Sequence, residues 1–256
     1  MDVVSPFSLT GRIAIVTGAS SGLGDRFARV LHAAGATVVV GARRTERLEA
    51  LAGELGDRVV PVTCDVAVDA DCETLHAAAL DAGAGRIDVL VNNAGIGGPV
   101  PAEVEDPAGF RRVIDVNLNG LFVLSQLTAR TMLEQGSGSI VNIASVLGLV
   151  AAAPIMQASY CASKGAVVNL TRELACQWAR RGVRVNAIAP GWFPSEMTSA
   201  DMFGNDDAMR FLRRNCPMGR GGAEHELDGV LLFLASEASS YTTGQIIAVD
   251  GGWVAR

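Results

Sequence analysis

A rhythm constrains this chain more than any single motif. Seven short aliphatic and β-branched runs alternate with longer amphipathic stretches. The runs are Ile13–Thr17, Thr37–Gly41, Val59–Thr63, Ile87–Asn92, Ile140–Ala144, Val183–Ala189 and Ile246–Val249. Helical patterns are predicted between them at Leu23–Ala34, Thr45–Leu55, Ala70–Ala82, Asp106–Gln135, Tyr160–Arg181 and Glu224–Ala235. Strands that read as unbroken apolar runs between helices belong to a parallel sheet covered on both faces. The expected fold class is therefore α/β, a doubly wound seven-stranded parallel sheet with helices on both faces. No linker or repeat interrupts the pattern, so residues 1–256 are expected to form one domain. The long irregular stretch at about 190–222 exceeds an idle connection and is expected to be a substrate loop or lid.

Composition removes several function classes. Hydrophobic residues make up 49% and charged residues 19%, which excludes intrinsic disorder. The net charge of -6 argues against a nucleic-acid partner, which demands a basic face. Local arginine clusters such as Arg210, Arg213 and Arg214 carry no interleaved aromatics and read as solvated helix faces. The five cysteines (Cys64, Cys72, Cys161, Cys176, Cys216) show no CxxC spacing, and His32, His76 and His225 are scattered. Neither a disulfide framework nor a metal site is expected, and free thiols fit a cytoplasmic protein. The opening residues lack the basic and apolar regions of a signal peptide. The uncharged stretch from Gln135 to Ser163 holds Gly136, Gly138, Asn142 and Pro154, so no membrane span is expected.

The first run leads into Thr17-Gly18-Ala19-Ser20-Ser21-Gly22-Leu23-Gly24, and a helix pattern follows at once. Glycines there let the backbone turn sharply and approach a pyrophosphate, whose charge meets the free N–H groups of a helix N-terminus. A second constellation stands at Tyr160 and Lys164, one helical turn apart on the same face. Lys164 is the sole lysine; every other one of the 21 Lys and Arg residues is arginine. A phenol with its ordinary pKa near 10 is a poor acid–base catalyst at neutral pH, and a nearby ammonium is expected to lower it.

These residues resemble the short-chain dehydrogenase/reductase family, in its single-domain classical branch. TGASSGLG resembles the family's glycine turn, Asn92-Asn93-Ala94-Gly95 its NNAG motif, and Ser145 with Tyr160-Cys161-Ala162-Ser163-Lys164 its S…YxxxK set. Pro190-Gly191 and Asp250-Gly251-Gly252 resemble its later marks, so the likeness spans nearly the whole chain. It implies a Rossmann-type domain that binds NADP(H) or NAD(H) and passes hydride between cofactor and carbonyl carbon.

The resemblance also implies roles. Tyr160 exchanges a proton with the substrate oxygen, Ser145 hydrogen-bonds that oxygen, and Lys164 tunes the phenol and holds the nicotinamide ribose. Asn117 matches an asparagine that bends a helix and holds a water, although Asn119 is not separable from it by sequence. The cofactor-binding set is then Gly18, Ser20, Ser21, Gly22, Leu23, Gly24, Arg43, Arg44, Asp65, Val66, Asn92, Ala94, Gly95, Tyr160, Lys164, Pro190, Gly191, Phe193 and Ser195. Arg43 and Arg44 stand where a 2′-phosphate would be read, beside Ala42 where NAD-type members carry aspartate, so NADP(H) is the expected cofactor.

Leu147, Pro154, Ile155, Met156, Trp192, Phe193, Met197, Met202, Phe203 and Phe211 are pocket-wall candidates, each as compatible with plain core. A small-molecule apolar ketone or 3-oxoacyl thioester, with its secondary alcohol, is the expected substrate class. An NAD-dependent alcohol dehydrogenase is the alternative within the family. A non-catalytic nucleotide-sensing module could dispense with Tyr160 and Lys164, and both are kept. Family members pair their long helices across two-fold axes, which implies a homo-oligomer, a tetramer or a dimer.

Overall fold

Each apolar run becomes a strand, and all seven lie parallel in one sheet. The computed structural model describes residues 3–198 and 203–255. The strands are β1 (Ile13–Thr17), β2 (Thr37–Ala42), β3 (Val59–Thr63), β4 (Val89–Asn92), β5 (Gly138–Ile143), β6 (Val183–Pro190) and β7 (Ile246–Val249), in the order β3-β2-β1-β4-β5-β6-β7. Strand order reverses between β1 and β4, which pair with Ala14 opposite Val89. A crevice opens at the carboxyl ends of strands flanking such a switch point.

Alternation along each central strand feeds two separate cores. Ala14 and Val16, Val38 and Val40, and Val89 and Val91 join one apolar layer with Phe27, Leu31, Leu48, Leu231 and Leu234. Their neighbours Ile15, Val39 and Leu90 join the opposite layer with Leu75, Leu124, Met132 and Leu174. Helices α1 (Gly22–Ala33), α2 (Thr45–Leu55) and α8 (Asp228–Ala235) cover the first face. Helices α3 (Asp69–Ala82), α5 (Gly120–Gln135) and α6 (Ala158–Trp178) cover the second. This is why the strands read as continuous apolar runs rather than as alternating ones.

The long helix expected over Asp106–Gln135 is interrupted. It divides into α4 (Pro107–Ile114), a π-helical turn at Asp115–Asn119, and α5. The π turn keeps a helical hydrophobic period, so the sequence pattern does not register it. At its far end Gly120 packs against β3's exit, where a Cβ would sit 2.2 Å from the Val66 carbonyl oxygen. The irregular stretch expected at 190–222 contains a further helix, α7 (Asp206–Asn215), capped by Asn205, whose Oδ1 accepts from the N–H groups of Asp207 and Ala208. Strand β4 starts two residues later than expected. Ile87 instead exchanges backbone bonds with the Gln135 side chain, and the Asp88 carboxylate accepts from the Ile13 N–H. Among the described residues no helix is long and apolar enough to cross a membrane, and no His/Cys/Asp/Glu group could hold a metal ion.

Candidate active site

At the carboxyl end of β1 the backbone turns through two left-handed glycines, Gly18 at φ +67° and Gly22 at φ +54°, directly into α1. The turn is fixed from behind by β4's exit. Asn93 Nδ2 donates to the Thr17 carbonyl at 2.9 Å, and Thr17 Oγ1 accepts from the N–H groups of Asn93 and Ala94 at 3.0 Å each. Gly24 lies so close under the turn that a Cβ would sit 2.3 Å from the Gly18 carbonyl oxygen. Ser21, the residue before α1, makes no side-chain cap bond, which leaves the first-turn N–H groups facing the cleft. A backbone cradle narrowed by glycines at a helix N-terminus fits a pyrophosphate.

That cradle is one end of a cleft of about 430 Å³. Its walls bring together Gly18, Ser20, Ser21, Gly22, Leu23, Gly24, Arg43, Arg44, Asp65, Val66, Ala94, Gly95, Ser145, Tyr160, Lys164, Pro190, Gly191, Phe193 and Ser195. Asn92 is a correction. Its side chain turns into the protein, where Nδ2 donates to Ser125 Oγ at 2.8 Å and to Asn142 Oδ1 at 3.0 Å. Adjacent residues at a strand end point to opposite sides, so Asn93 faces the cleft and Asn92 does not. Asp65 lines the cleft while its carboxylate accepts from the Ala67 N–H and from Arg112. Arg44 donates to Ser20 Oγ and Ser21 Oγ, and also pairs with Glu196, a carboxylate that the sequence reading did not place there.

The residues expected to handle the proton meet on the far side of the cleft. Ser145 follows β5, and its Oγ accepts from the Leu147 N–H at 3.1 Å. Tyr160 and Lys164 project from α6, with Lys164 Nζ 5.8 Å from the Tyr160 ring centroid. Lys164 is 4% exposed, and its Nζ donates to the Ile143 carbonyl at 2.7 Å. Burial lowers the Lys164 ammonium to about 8. The dominant influence on Tyr160 is also burial, which pushes the phenol above its ordinary value while the hydrogen bond with Ser145 pulls it partway back. The lowering of the phenol expected from the neighbouring ammonium is thus opposed by desolvation.

The π turn separates the two asparagines that sequence could not. Asn117 is fully buried; its Oδ1 accepts from the Ile96 N–H and its Nδ2 donates to the Ile96 carbonyl, both at 2.8 Å, and to Ser163 Oγ at 3.0 Å. Asn119 is exposed and bonds Asp115. Asn117 therefore clamps the chain leaving β4 to α6, two elements that carry site residues. Gly95 lies just beneath Lys164, where a Cβ would be 3.5 Å from Nζ.

A second hollow of about 530 Å³ adjoins the cleft. Leu147, Pro154, Ile155, Met156, Trp192, Met197 and Phe211 line it, and Gln157 and Asp207 are its polar walls with Thr198, Ser145 and Tyr160. None of its described lining residues is basic. Phe193 instead belongs to the cleft and the first core, and Phe203 packs beside Gly221 and the Trp192 carbonyl. Met202 lies outside the described residues. Ser145, Tyr160, Gly191, Met197 and Thr198 belong to both cavities.

Comparison with known proteins places this architecture among dinucleotide-dependent enzymes. A family model described as enoyl-(acyl carrier protein) reductase matches residues 18–254. Galactitol 2-dehydrogenase (L-tagatose-forming) of Cereibacter sphaeroides is 43% identical over 255 residues, 99% of each chain. A short-chain type dehydrogenase/reductase from Mycobacterium marinum superposes with a TM-score of 0.93 at 36% identity, covering 100% of both chains. A gluconate 5-dehydrogenase from Burkholderia cenocepacia J2315, solved in complex with NADP and tartrate, superposes equally well at 0.93 with 37% identity and the same full coverage.

Proposed function

The chain belongs to the short-chain dehydrogenase/reductase family, and on that premise we propose that it interconverts a neutral ketone and its secondary alcohol with NADP(H). The observation that carries the reading is the shared wall: Ser145 and Tyr160 stand where the nucleotide cleft meets the apolar hollow. A carbonyl oxygen at that junction is within reach of both hydroxyls. When bound, the nicotinamide supplies or accepts the hydride.

The residues of the chain handle the proton and the developing charge. Tyr160, with its pKa raised by burial, is protonated at neutral pH and is therefore in the form that donates to a carbonyl oxygen. Ser145 stabilises charge that builds on the same oxygen. Lys164 already donates to the Ile143 carbonyl, and its remaining ammonium protons are free to hold ribose hydroxyls. Arg43 and Arg44 at the end of β2 favour the 2′-phosphate of NADP(H), in keeping with the NADP of the Burkholderia neighbour.

The hollow supports a neutral, largely apolar substrate. No described lining residue is basic and Asp207 in the wall is paired with Arg210 at 2.9 Å, so the hollow offers a free carboxylate such as a sugar acid no cationic partner. A 3-oxoacyl thioester fits as well, since α7 carries exposed Arg213 and Arg214 beyond the hollow-lining Phe211. A second reading, oxidation of a polyol, has the galactitol dehydrogenase relative in its favour, together with Gln157 and Asp207 as partners for hydroxyls. Following nicotinamide absorbance with ketones, diketones, 3-oxoacyl thioesters, galactitol and gluconate decides among these. Turnover of gluconate above all others would overturn the neutral-substrate reading.

The same reading includes a cytoplasmic homotetramer with reduced thiols. Exposed Phe110 on α4 and Phe122 on α5 would meet a partner, and the half-exposed edge strand β7 would form a second interface. Light scattering at micromolar concentration checks it, and a monomer would refute it.

A further inference from the structure

Between the two walls of the cleft the structure makes an ion cluster in which Glu196 and Arg47, outside both the cofactor-binding and the catalytic sets, join Arg44 and Ser21 of the former. Glu196, on the turn after β6, reaches across to the end of β2 and the start of α2. Its carboxylate pairs with Arg44 Nη1 at 2.9 Å and with Arg47 Nη1, and accepts from Ser21 Oγ at 3.0 Å. Hydrogen bonds from Arg47, then Arg44 and Ser21, hold it at about 2, so it is ionised throughout the working range. An anion bridging two guanidiniums beside the glycine turn is the arrangement a ribose 2′-phosphate would itself adopt.

We propose that Glu196 is a specificity-determining residue for the cofactor, an internal anion that competes with the 2′-phosphate for Arg44 and Arg47. The inference rests on the reading that this cleft binds a nicotinamide dinucleotide. NAD(H) carries a hydroxyl at that place and leaves the carboxylate on its arginines. NADP(H) must displace it, and an undisplaced carboxylate would repel the phosphate. The turn is tied internally, with Thr198 Oγ1 donating to the Phe193 carbonyl at 2.6 Å and Ser195 Oγ 3.0 Å from Thr198 Oγ1. Met197 and Thr198, next to Glu196 on this turn, also wall the substrate hollow.

The test measures dissociation constants for NADPH and NADH by tryptophan-fluorescence titration of wild type, Glu196→Gln, and Glu196→Gln with Arg47→Gln. Glu196→Gln is expected to tighten NADPH about two- to fivefold, the range for losing competition from an exposed ion pair, and to leave NADH unchanged. Adding Arg47→Gln should then weaken NADPH several-fold, because the freed guanidinium has become a phosphate ligand. An unchanged ratio of the two constants, equal tightening of both cofactors, or weaker NADPH binding in Glu196→Gln would each overturn the proposal. The ratio is read whichever cofactor wild type prefers. A wild-type preference for NADH therefore counts against NADP(H) as the working cofactor, while the shift on substitution still decides the role of Glu196.

Discussion

The two ends of the same sheet are built on opposite plans. At the amino ends of the strands polar groups are consumed by the fold. Asp88 accepts from the Ile13 N–H, Arg12 and Arg86, and Arg12 also reaches Glu237. Nearby, Arg184 donates to Ser239 Oγ and to the carbonyls of Leu234 and Ser236. At the carboxyl ends the backbone of the glycine turn, the Lys164 ammonium and the Tyr160 phenol are shaped by the fold yet keep donors to offer. The same parallel strands supply both ends, so the difference comes from the connections. Tight αβ returns pair off the polar groups around a hollow of about 480 Å³ at one end, and glycine turns and long βα loops leave donors on offer at the other.

Substitutions that separate the ends sharpen this contrast. The largest effect should come from Tyr160→Phe, which removes the proposed proton donor together with its hydrogen bond with Ser145 and keeps the ring. kcat/KM is expected to fall about 10³-fold, within the usual range for a general acid, with NADPH binding nearly intact. Turnover within tenfold of wild type would mean that another group moves the proton. Lys164→Arg keeps the charge and replaces a compact ammonium with a planar fork in a site where only 4% of the residue is exposed. A loss on the order of 10²-fold in kcat/KM with weaker NADPH binding is expected, and circular dichroism should show the fold retained.

At the other end the readout reverses. Asp88→Asn leaves Arg12 and Arg86 without their shared carboxylate and should cost about 2 kcal/mol in urea unfolding, with kcat/KM within twofold. Although burial alone would raise it, the bonds from Arg86, Ile13 and Arg12 hold Asp88 below its ordinary value in the folded chain. Its contribution is therefore complete above the unfolded carboxylate value of about 3.9 and is lost as pH falls through the lower folded value. The gap between wild type and Asp88→Asn should narrow below about pH 4, and a constant gap would assign the loss to packing. Smallest is the cofactor preference, a ratio of kcat/KM for NADPH over NADH of about tenfold, because Glu196 offsets part of what Arg43 and Arg44 contribute. Equal efficiencies would show that Arg43 and Arg44 give the 2′-phosphate no net advantage.

Most of the fold was legible because its signal is local. Val38, Val39 and Val40 announce a strand buried on both faces wherever they occur, and Gly18 to Gly24 announce a turn into a helix. The Tyr160 and Lys164 pair needed only the helical period. What escaped was either phase or distance. The π turn at Asp115–Asn119 inserts one residue without breaking the apolar pattern, and only coordinates show that it swings Asn117 inward and Asn119 out. Asn92 and Asn93 are chemically identical, and the facing of a strand end decides between them. Glu196 lies 152 residues from Arg44, and no local pattern reports a contact made by folding alone.

One feature of the site also makes it unusually easy to tag. With a single lysine in the chain, amine-directed chemistry has one side chain to find, and the fold puts that amine in the wall of the cleft. Burial that lowers it to about 8 raises its neutral, nucleophilic fraction in mild alkali well above that of an ordinary surface lysine. Reductive methylation followed by peptide mass mapping would then report on this one side chain separately from the α-amino group, and bound cofactor should slow its labelling.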